Sequence, residues 1–223
     1  MAETIATLPT DDVNEQLIKA SARIIFAVII VVLVTVYLFW PSKKDTVKQV
    51  ITRDRRSVIK YKGAVPAAAV QRALNAAIHA PNHFLNEPWR FRMLGKETRD
   101  RITALNDSKR ELFEGIPGWM MVSFVPTAGD EKWNPKALED HAATACAVQN
   151  FMLSLASEGY ASKWMTGAMG IPSNKLLETV QVSPSQEHFM GVIFFGKPEK
   201  PTSQMDVPKR KQGLNDNVLI NLP

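Results

Sequence analysis

The sequence predicts an α+β domain in three layers, carried behind one apolar helix, and three observations lead there. Residues 118–125 (GWMMVSFV) and 189–195 (FMGVIFF) are continuous apolar runs of strand length. Such runs are expected of strands covered on both faces. Helical patterns lie between and around them, as in a sheet sandwiched by helices. Residues 24–40 (IIFAVIIVVLVTVYLFW) are seventeen residues without a charge.

That apolar stretch, as a helix, spans about 25 Å against a hydrocarbon core of about 30 Å. Residues 20–22 can lengthen it, and Tyr37 and Trp40 suit a membrane interface. It is apolar all round, unlike a helix that lies on a surface. A signal peptide wants positive charge before the apolar core and small residues after it. Here the positive charge follows, and Phe39-Trp40-Pro41 is a poor cleavage site. A single transmembrane helix over 24–40 is therefore expected, after a polar tail over 1–23. Lys43, Lys44 and Lys48, in a basic linker over 41–50, would face anionic lipid. They outweigh Lys19 and Arg23, which places the C-terminal part on the cytoplasmic side of the membrane.

The net charge of +5 is local in origin. Residues 43–62 hold eight Lys or Arg against Asp45 and Asp54, a local +6, and the rest is near neutral. A basic cluster beside an apolar segment favours an anionic membrane face or an anionic ligand over nucleic acid. No aromatic-plus-basic nucleic-acid module is present, so no nucleic-acid partner is expected. The single cysteine, Cys146, excludes a disulfide within the chain and a cysteine zinc site. Its small-residue surroundings (HAATACAV) predict a packed core thiol. Of the four histidines (79, 83, 141, 188), only His79 and His83 are i,i+4, and Pro81 breaks the helix that this spacing needs. No metal site is expected. GxGxxG, Walker A, HExxH and GxSxG patterns are all missing.

The domain proper is expected over 51–198. A short helix over 45–54 leads into it, and 63–66 form a turn. Residues 67–79 are helical, with Val70, Leu74, Ala77 and Ile78 on one face and Pro81 as the stop. A strand over 89–94 and a charged helix over 97–105 follow. After strand 118–125 and a loop over 129–134 comes the longest soluble helix, 135–158. Its expected spine is Leu138, Ala142, Ala145, Val148, Met152 and Leu155, with Gly159 as the C-cap. The alanines at 142, 143, 145 and 147 allow close approach of a second helix, in the core or across a dimer. A strand over 161–166 feeds Gly167, and Ser173 caps a helix to about Val180 that buries Leu176, Leu177 and Val180. Strand 189–195 is closed by Gly196-Lys197-Pro198, and 199–223 form an extended, proline-rich tail. Three or four strands result.

The chemistry of the chain centres on residues 55–91. Arg55-Arg56-Ser57 offers two guanidiniums and a hydroxyl, which suit a phosphate and its neighbouring oxygens. The same run could serve lipid headgroups, and composition alone leaves the two readings even. Order separates them. Arg55-Arg56-Ser57 is followed by an alanine-rich helix, then Ala80-Pro81-Asn82-His83, then Pro88-Trp89-Arg90-Phe91. That order resembles the FMN-dependent nitroreductase family. Residues 159–167 (GYASKWMTG) resemble the segment that follows the long helix of that family and ends beside the flavin. Pro208-Lys209-Arg210-Lys211 resembles its basic tail. The resemblance covers about residues 50–215.

The resemblance implies a three-layer α/β/α sandwich with a central mixed sheet. It also implies a homodimer with flavin sites at the subunit interface and NAD(P)H as reductant. Arg55, Arg56 and Ser57 would bind the FMN phosphate and ribityl chain. Asn82 and His83 would lie near the isoalloxazine, from either subunit. Met165, Thr166 and Gly167 would line the ring, and Arg210 would reach the phosphate. No side chain is nominated as a general acid, because the hydride chemistry belongs to the cofactor. The acceptor would be a nitroaromatic, a quinone or a similar electron-poor small molecule. One departure is Ile59, which stands where related sequences carry a third basic residue. The anchor and tail are also similar to iodotyrosine deiodinase, but only residues 106–116 are available for the lid that binds its substrate. Deiodination is not expected. The alternative from another class is a membrane-tethered adaptor that keeps the fold without the cofactor.

Overall fold

The computed structural model describes residues 10–39, 47–127, 135–211 and 219–220. The expected loop over 129–134, Lys43 and Lys44, and the side chain of Lys48 lie outside the described residues. The chain divides into two units, Met1–Thr46 and Val47–Pro223.

In the first unit, helix α1 runs Thr10–Phe39 and so begins well before the apolar stretch. The polar tail expected over 1–23 is therefore helical from Thr10 onward. Ile24, Ile25, Phe26, Val28 and Val31 are all exposed. Among the described residues, no helix is long and apolar enough to cross a membrane, and of the span expected over 24–40 the side chains of residues 33–34 and 36–40 lie outside those described.

The second unit is built on a five-stranded sheet. Its strands are β1 (Tyr61–Gly63), β2 (Trp89–Met93), β3 (Gly118–Phe124), β4 (Ala161–Met165) and β5 (His188–Pro198). The order is β1-β5-β3-β2, and β4 pairs with β5 on the edge away from β3. All four strand pairings are antiparallel. Among the described residues, the sheet is mixed only through an isolated parallel bridge between Ser57 and Ser162. Strand β5 runs three residues beyond the expected stop at Phe195, because β1 pairs with Lys197 and Pro198. A three-residue strand carries too little alternation to be read from sequence.

Alternation along β3 explains the three layers. Met120 and Val122 face one way, with Ile193 and Phe195 of β5, toward α3 (Ala67–Ala77) and α6 (Pro135–Ser157). Trp119 and Met121 face the other way, with Val192 and Phe194. They pack against α4 (Lys96–Ala104), α5 (Arg110–Glu114) and α7 (Ser173–Thr179). A short helix α2 (Val47–Asp54) precedes the sheet. The first residue of α7 is Ser173, which makes no capping bond, and Pro172 holds the cap position instead.

Helix α6 is rotated from its expected face. Val148, Met152 and Leu155 are buried as expected, but Leu138, Ala142 and Cys146 are exposed. Asp140, Ala143, Thr144, Ala147 and Phe151 take the inner face instead. Cys146 is thus a surface thiol. Asp140 is buried because the loop before α6 needs an acceptor. It receives the Thr127 backbone N–H at 2.6 Å and a hydrogen bond from Asn86 Nδ2.

A polar clamp ties the β2 edge to the start of β5. Arg92 Nη2 donates to Glu187 Oε1 at 2.7 Å, Nη1 donates to Oε2 at 2.8 Å, and Ser123 Oγ donates to the same Oε2. Burial alone would raise the Glu187 carboxyl, but the bonds from Arg92 and Ser123 outweigh it and hold the group below its ordinary range. A carboxyl depressed on folding contributes stability above its unfolded value and loses it as pH falls through the folded one. Stability is therefore expected to fall as pH drops below about 4.5. Glu187→Gln should remove that part of the fall in urea midpoints measured across the acid range. An unchanged acid-side slope would contradict this role.

Candidate functional site

The site begins where α6 ends. Gly159 adopts φ 80°, with Tyr160 N–H bonded to Leu155 O at 3.0 Å and Gly159 N–H to Ala156 O at 3.1 Å. These are the two bonds of a Schellman stop, which only a residue tolerant of positive φ closes without strain. The chain then reverses into β4. Alongside β4 runs the segment 55–58, parallel to it, through the Ser57–Ser162 bridge and a Val58 N–H to Ser162 O bond of 3.3 Å. Tyr61 holds that segment by donating its hydroxyl to Val58 O, and burial pushes its phenol well above the ordinary value.

The two arginines part company here. Arg56 is 8% exposed. Its Nη1 donates to Arg53 O at 2.7 Å and Arg55 O at 2.9 Å, and its Nε donates to Asp206 O at 3.1 Å. Of the two arginines expected at the phosphate, Arg56 has its Nε and Nη1 engaged with backbone carbonyls. Arg55 is only half-buried, and no carboxylate among the described residues pairs with it. Its guanidinium is held below its ordinary value by burial first, then by the charges of Arg56 and Arg210. Arg210, 155 residues away in sequence, is thus one of the charges that act on Arg55. Ser57 is exposed beside them.

The other end of β4 is also organised. Met165 is buried, and Thr166 and Gly167 are exposed. Trp164 Nε1 donates to Met190 O at 2.9 Å, and its indole lies where a Cβ on Gly191 would be. Past Gly167 the turn is held by Asn106, whose Nδ2 donates to Met169 O at 3.0 Å, and by Gly170 at φ 66°. A Cβ placed on Gly167 would meet no atom within 4 Å, so the backbone there faces open space. From Ser162 to Thr166 a strand extends about 13 Å. Cations without carboxylate partners thus sit at the start of one edge strand, and an open, side-chain-free backbone lies just past its end.

Asn82 and His83 are elsewhere on this chain. They open the loop into β2, at the sheet edge opposite β4, with β3 and β5 between. Three strand spacings are about 14 Å. The loop is firmly held. Asn82 Oδ1 accepts the Glu87 N–H at 3.0 Å, His83 Nδ1 lies 3.2 Å from Glu139 Oε2, and Asn86 bonds Asp140. Phe84, Leu85 and Glu87 nevertheless take positive φ (45°, 56° and 45°), and Phe84 and Leu85 are 91% and 79% exposed. Two apolar side chains are thus held out to solvent on a strained backbone.

Ile59 lines a separate cavity of about 400 Å³ with Tyr61, Leu112 and Glu199, away from the Arg55 cluster. Sequence reasoning missed three supports of the site. Asn106 and Gly191 fix the end of β4, and Tyr61 fixes the 55–58 segment. Only Gly191, inside an otherwise apolar strand run, left a trace: an isolated strand glycine marks a bulge or a close approach. Here it sits at a register break in the β3–β5 pairing.

An antiparallel sheet between two helical layers, with a cationic cluster at one end of its β4 edge and an open glycine turn at the other, defines the class. Residues 52–126 and 103–197 match the nitroreductase family, and the chain belongs to that family. YfhC of Bacillus subtilis, which carries the name of an NAD(P)H nitroreductase, is 29% identical over 169 residues, covering 67% of this chain and 84% of its own. YdjA of Escherichia coli strain K12, named likewise, is 21% identical over 169 residues, 70% of this chain and 91% of its own. A nitroreductase from Desulfovibrio desulfuricans, solved in complex with FMN, superposes with a TM-score of 0.65 at 24% identity. It covers 81% of this chain and 99% of its own.

Proposed function

We propose that this chain is an FMN-dependent NAD(P)H oxidoreductase that reduces an electron-poor small molecule, such as a nitroaromatic or a quinone. The observation that carries the reading is Arg55, half-buried and without a carboxylate partner among the described residues, at the start of the strand that ends in the open Gly167 turn, beside the Arg56 bond to Asp206 O in the segment that leads to Arg210. A half-buried cation on which like charges act is favoured by an anion as its partner. A phosphate fills that role with charge-assisted hydrogen bonds, and Ser57 adds a hydroxyl for the adjoining chain. The open turn at Gly167, beside the exposed Thr166 and next to the buried Met165, leaves room for the flat end of the same ligand. The residues present therefore fit FMN.

When bound, FMN supplies the hydride chemistry. The protein's part is to bind and orient. Arg55 and Arg210 fix the phosphate, Trp164 and Asn106 hold the strand end that carries Thr166 and Gly167, and the open face admits reductant and acceptor in turn. We assign Asn82 and His83 to the site of a second subunit, because within one chain they lie on the opposite sheet edge. The exposed Phe84 and Leu85 beside them, and the exposed Leu138, Ala142 and Cys146 on α6, suit a homodimer interface. Residues 24–40 we assign as a single membrane anchor, with lipid contacts from Lys43, Lys44 and Lys48 and the domain on the cytoplasmic side. The support is the uncharged stretch itself and the exposure of its apolar side chains.

The test uses the full chain expressed in cells. Alkali-washed membranes are expected to retain it and to oxidise NADH or NADPH when nitroaromatics or quinones are added. Recovery of the activity in the wash overturns the anchor. A folded, flavin-loaded protein inert toward every such acceptor overturns the oxidoreductase reading in favour of an adaptor.

A further inference from the structure

We propose that Arg56 is a positioning residue that grips the C-terminal strap and thereby delivers Arg210 to the phosphate site. The inference rests on the FMN reading above. A buried guanidinium must spend its donors on acceptors, because an unpaired one costs several kcal/mol. Arg56 spends its own on two kinds of carbonyl. Those of Arg53 and Arg55 lie at the end of α2, where the last carbonyls of a helix lack partners within it. That of Asp206 belongs to the strap.

One planar side chain thus joins the helix end to a segment 150 residues distant. A second tie, from Glu199 N–H to Lys60 O at 3.3 Å, holds the strap where it leaves β5. Between these ties and Arg210 the strap makes one 3-10 turn, Thr202–Gln204, and is otherwise irregular. Four residues of extended chain reach about 13 Å, so without a grip at Asp206 the register of Arg210 would be undefined. With the grip, the strap is held to the helix end that carries Arg55 at a point four residues before Arg210, so that Arg210 stays within reach of an anion bound at Arg55. Lysine could place a point charge at position 56 but not the planar fork that meets three carbonyls.

The proposal separates Arg56 from Arg55: one contacts the ligand and the other acts through Arg210. Full-length protein in detergent is compared as wild type, Arg56→Ala, Arg56→Lys, Arg210→Ala and the Arg56→Ala/Arg210→Ala double variant. FMN and riboflavin affinities are read from flavin fluorescence. Trypsin cleavage after Lys209, Arg210 and Lys211 is timed by mass spectrometry without flavin. Each single alanine variant is expected to weaken FMN about tenfold or more and to leave riboflavin unchanged. The double variant should be no weaker than either. Arg56→Ala should speed cleavage of the strap, and Arg56→Lys should behave as Arg56→Ala does.

Additive losses in the double variant, or a strap cleaved no faster in Arg56→Ala and Arg56→Lys, overturn the proposal. Should Arg56→Ala not fold, Arg56→Lys carries the same comparison. A wild type that binds neither flavin refutes the FMN reading, while the cleavage rates still decide whether Arg56 holds the strap.

Discussion

Replacing Arg55 by glutamate is expected to abolish FMN retention while leaving the fold unharmed. The exposed part of this side chain has no carboxylate partner among the described residues, and its charge is opposed by Arg56 and Arg210. In the flavin-free protein its reversal removes repulsion, so the thermal midpoint should hold or rise. Toward a phosphate the same change removes a charge-assisted contact and adds a repulsive charge. A hydrogen bond to a charged group is worth roughly 1.5–3 kcal/mol, so affinity should fall about a hundredfold or more. Riboflavin, which lacks the phosphate, should bind as before. An Arg55→Glu protein that keeps its FMN would place the phosphate elsewhere. Lys48→Ala is the control, since an equal effect there would return the basic run to lipid.

The second large effect is expected at Gly191. Its φ of 146° lies in a region that side-chain-bearing residues avoid. A Cβ there would stand 2.3 Å from Trp164 Nε1 and 2.7 Å from Met165 O. Neither neighbour can yield cheaply. The indole is bonded to Met190 O, and the Met165 carbonyl is backbone. Gly191→Ala should therefore destabilise the domain by about 2–4 kcal/mol in urea titration. Because the collision pushes on β4, riboflavin binding at Thr166 and Gly167 should weaken as well. A loss below about 1 kcal/mol would mean that the strand relaxes freely and that the Trp164 contact is incidental.

Much of this architecture was legible in residues that leave little choice. GWMMVSFV and FMGVIFF became β3 and β5, Pro81 stopped α3, and Gly159 closed α6. The face of α6 was misread for a physical reason. With Ala142, Ala143, Ala145, Cys146 and Ala147 in a row, apolar periodicity marks no side, and the true inner face carries Asp140 and Thr144. The burial of Asp140 follows from long-range hydrogen bonds donated by Thr127 and Asn86, which no local pattern encodes, and Thr144 donates back to Asp140 O at 2.8 Å. The pair Arg55-Arg56 poses the same difficulty at one residue's scale. Adjacent side chains where a helix ends leave the backbone in different directions, and the sequence does not say which is inward. The distant partner Asp206 decides it. Which subunit supplies Asn82 and His83 to the flavin was not legible either, because the order that sets them on the sheet edge away from Met165, Thr166 and Gly167 depends on pairings invisible to spacing.

The central claim is that this chain holds FMN. The measurement is made on full-length protein purified in detergent, denatured, with the released small molecule identified by absorbance and mass. The account predicts a yellow protein that releases FMN at close to one per chain. A folded, colourless protein that takes up no added FMN would contradict it.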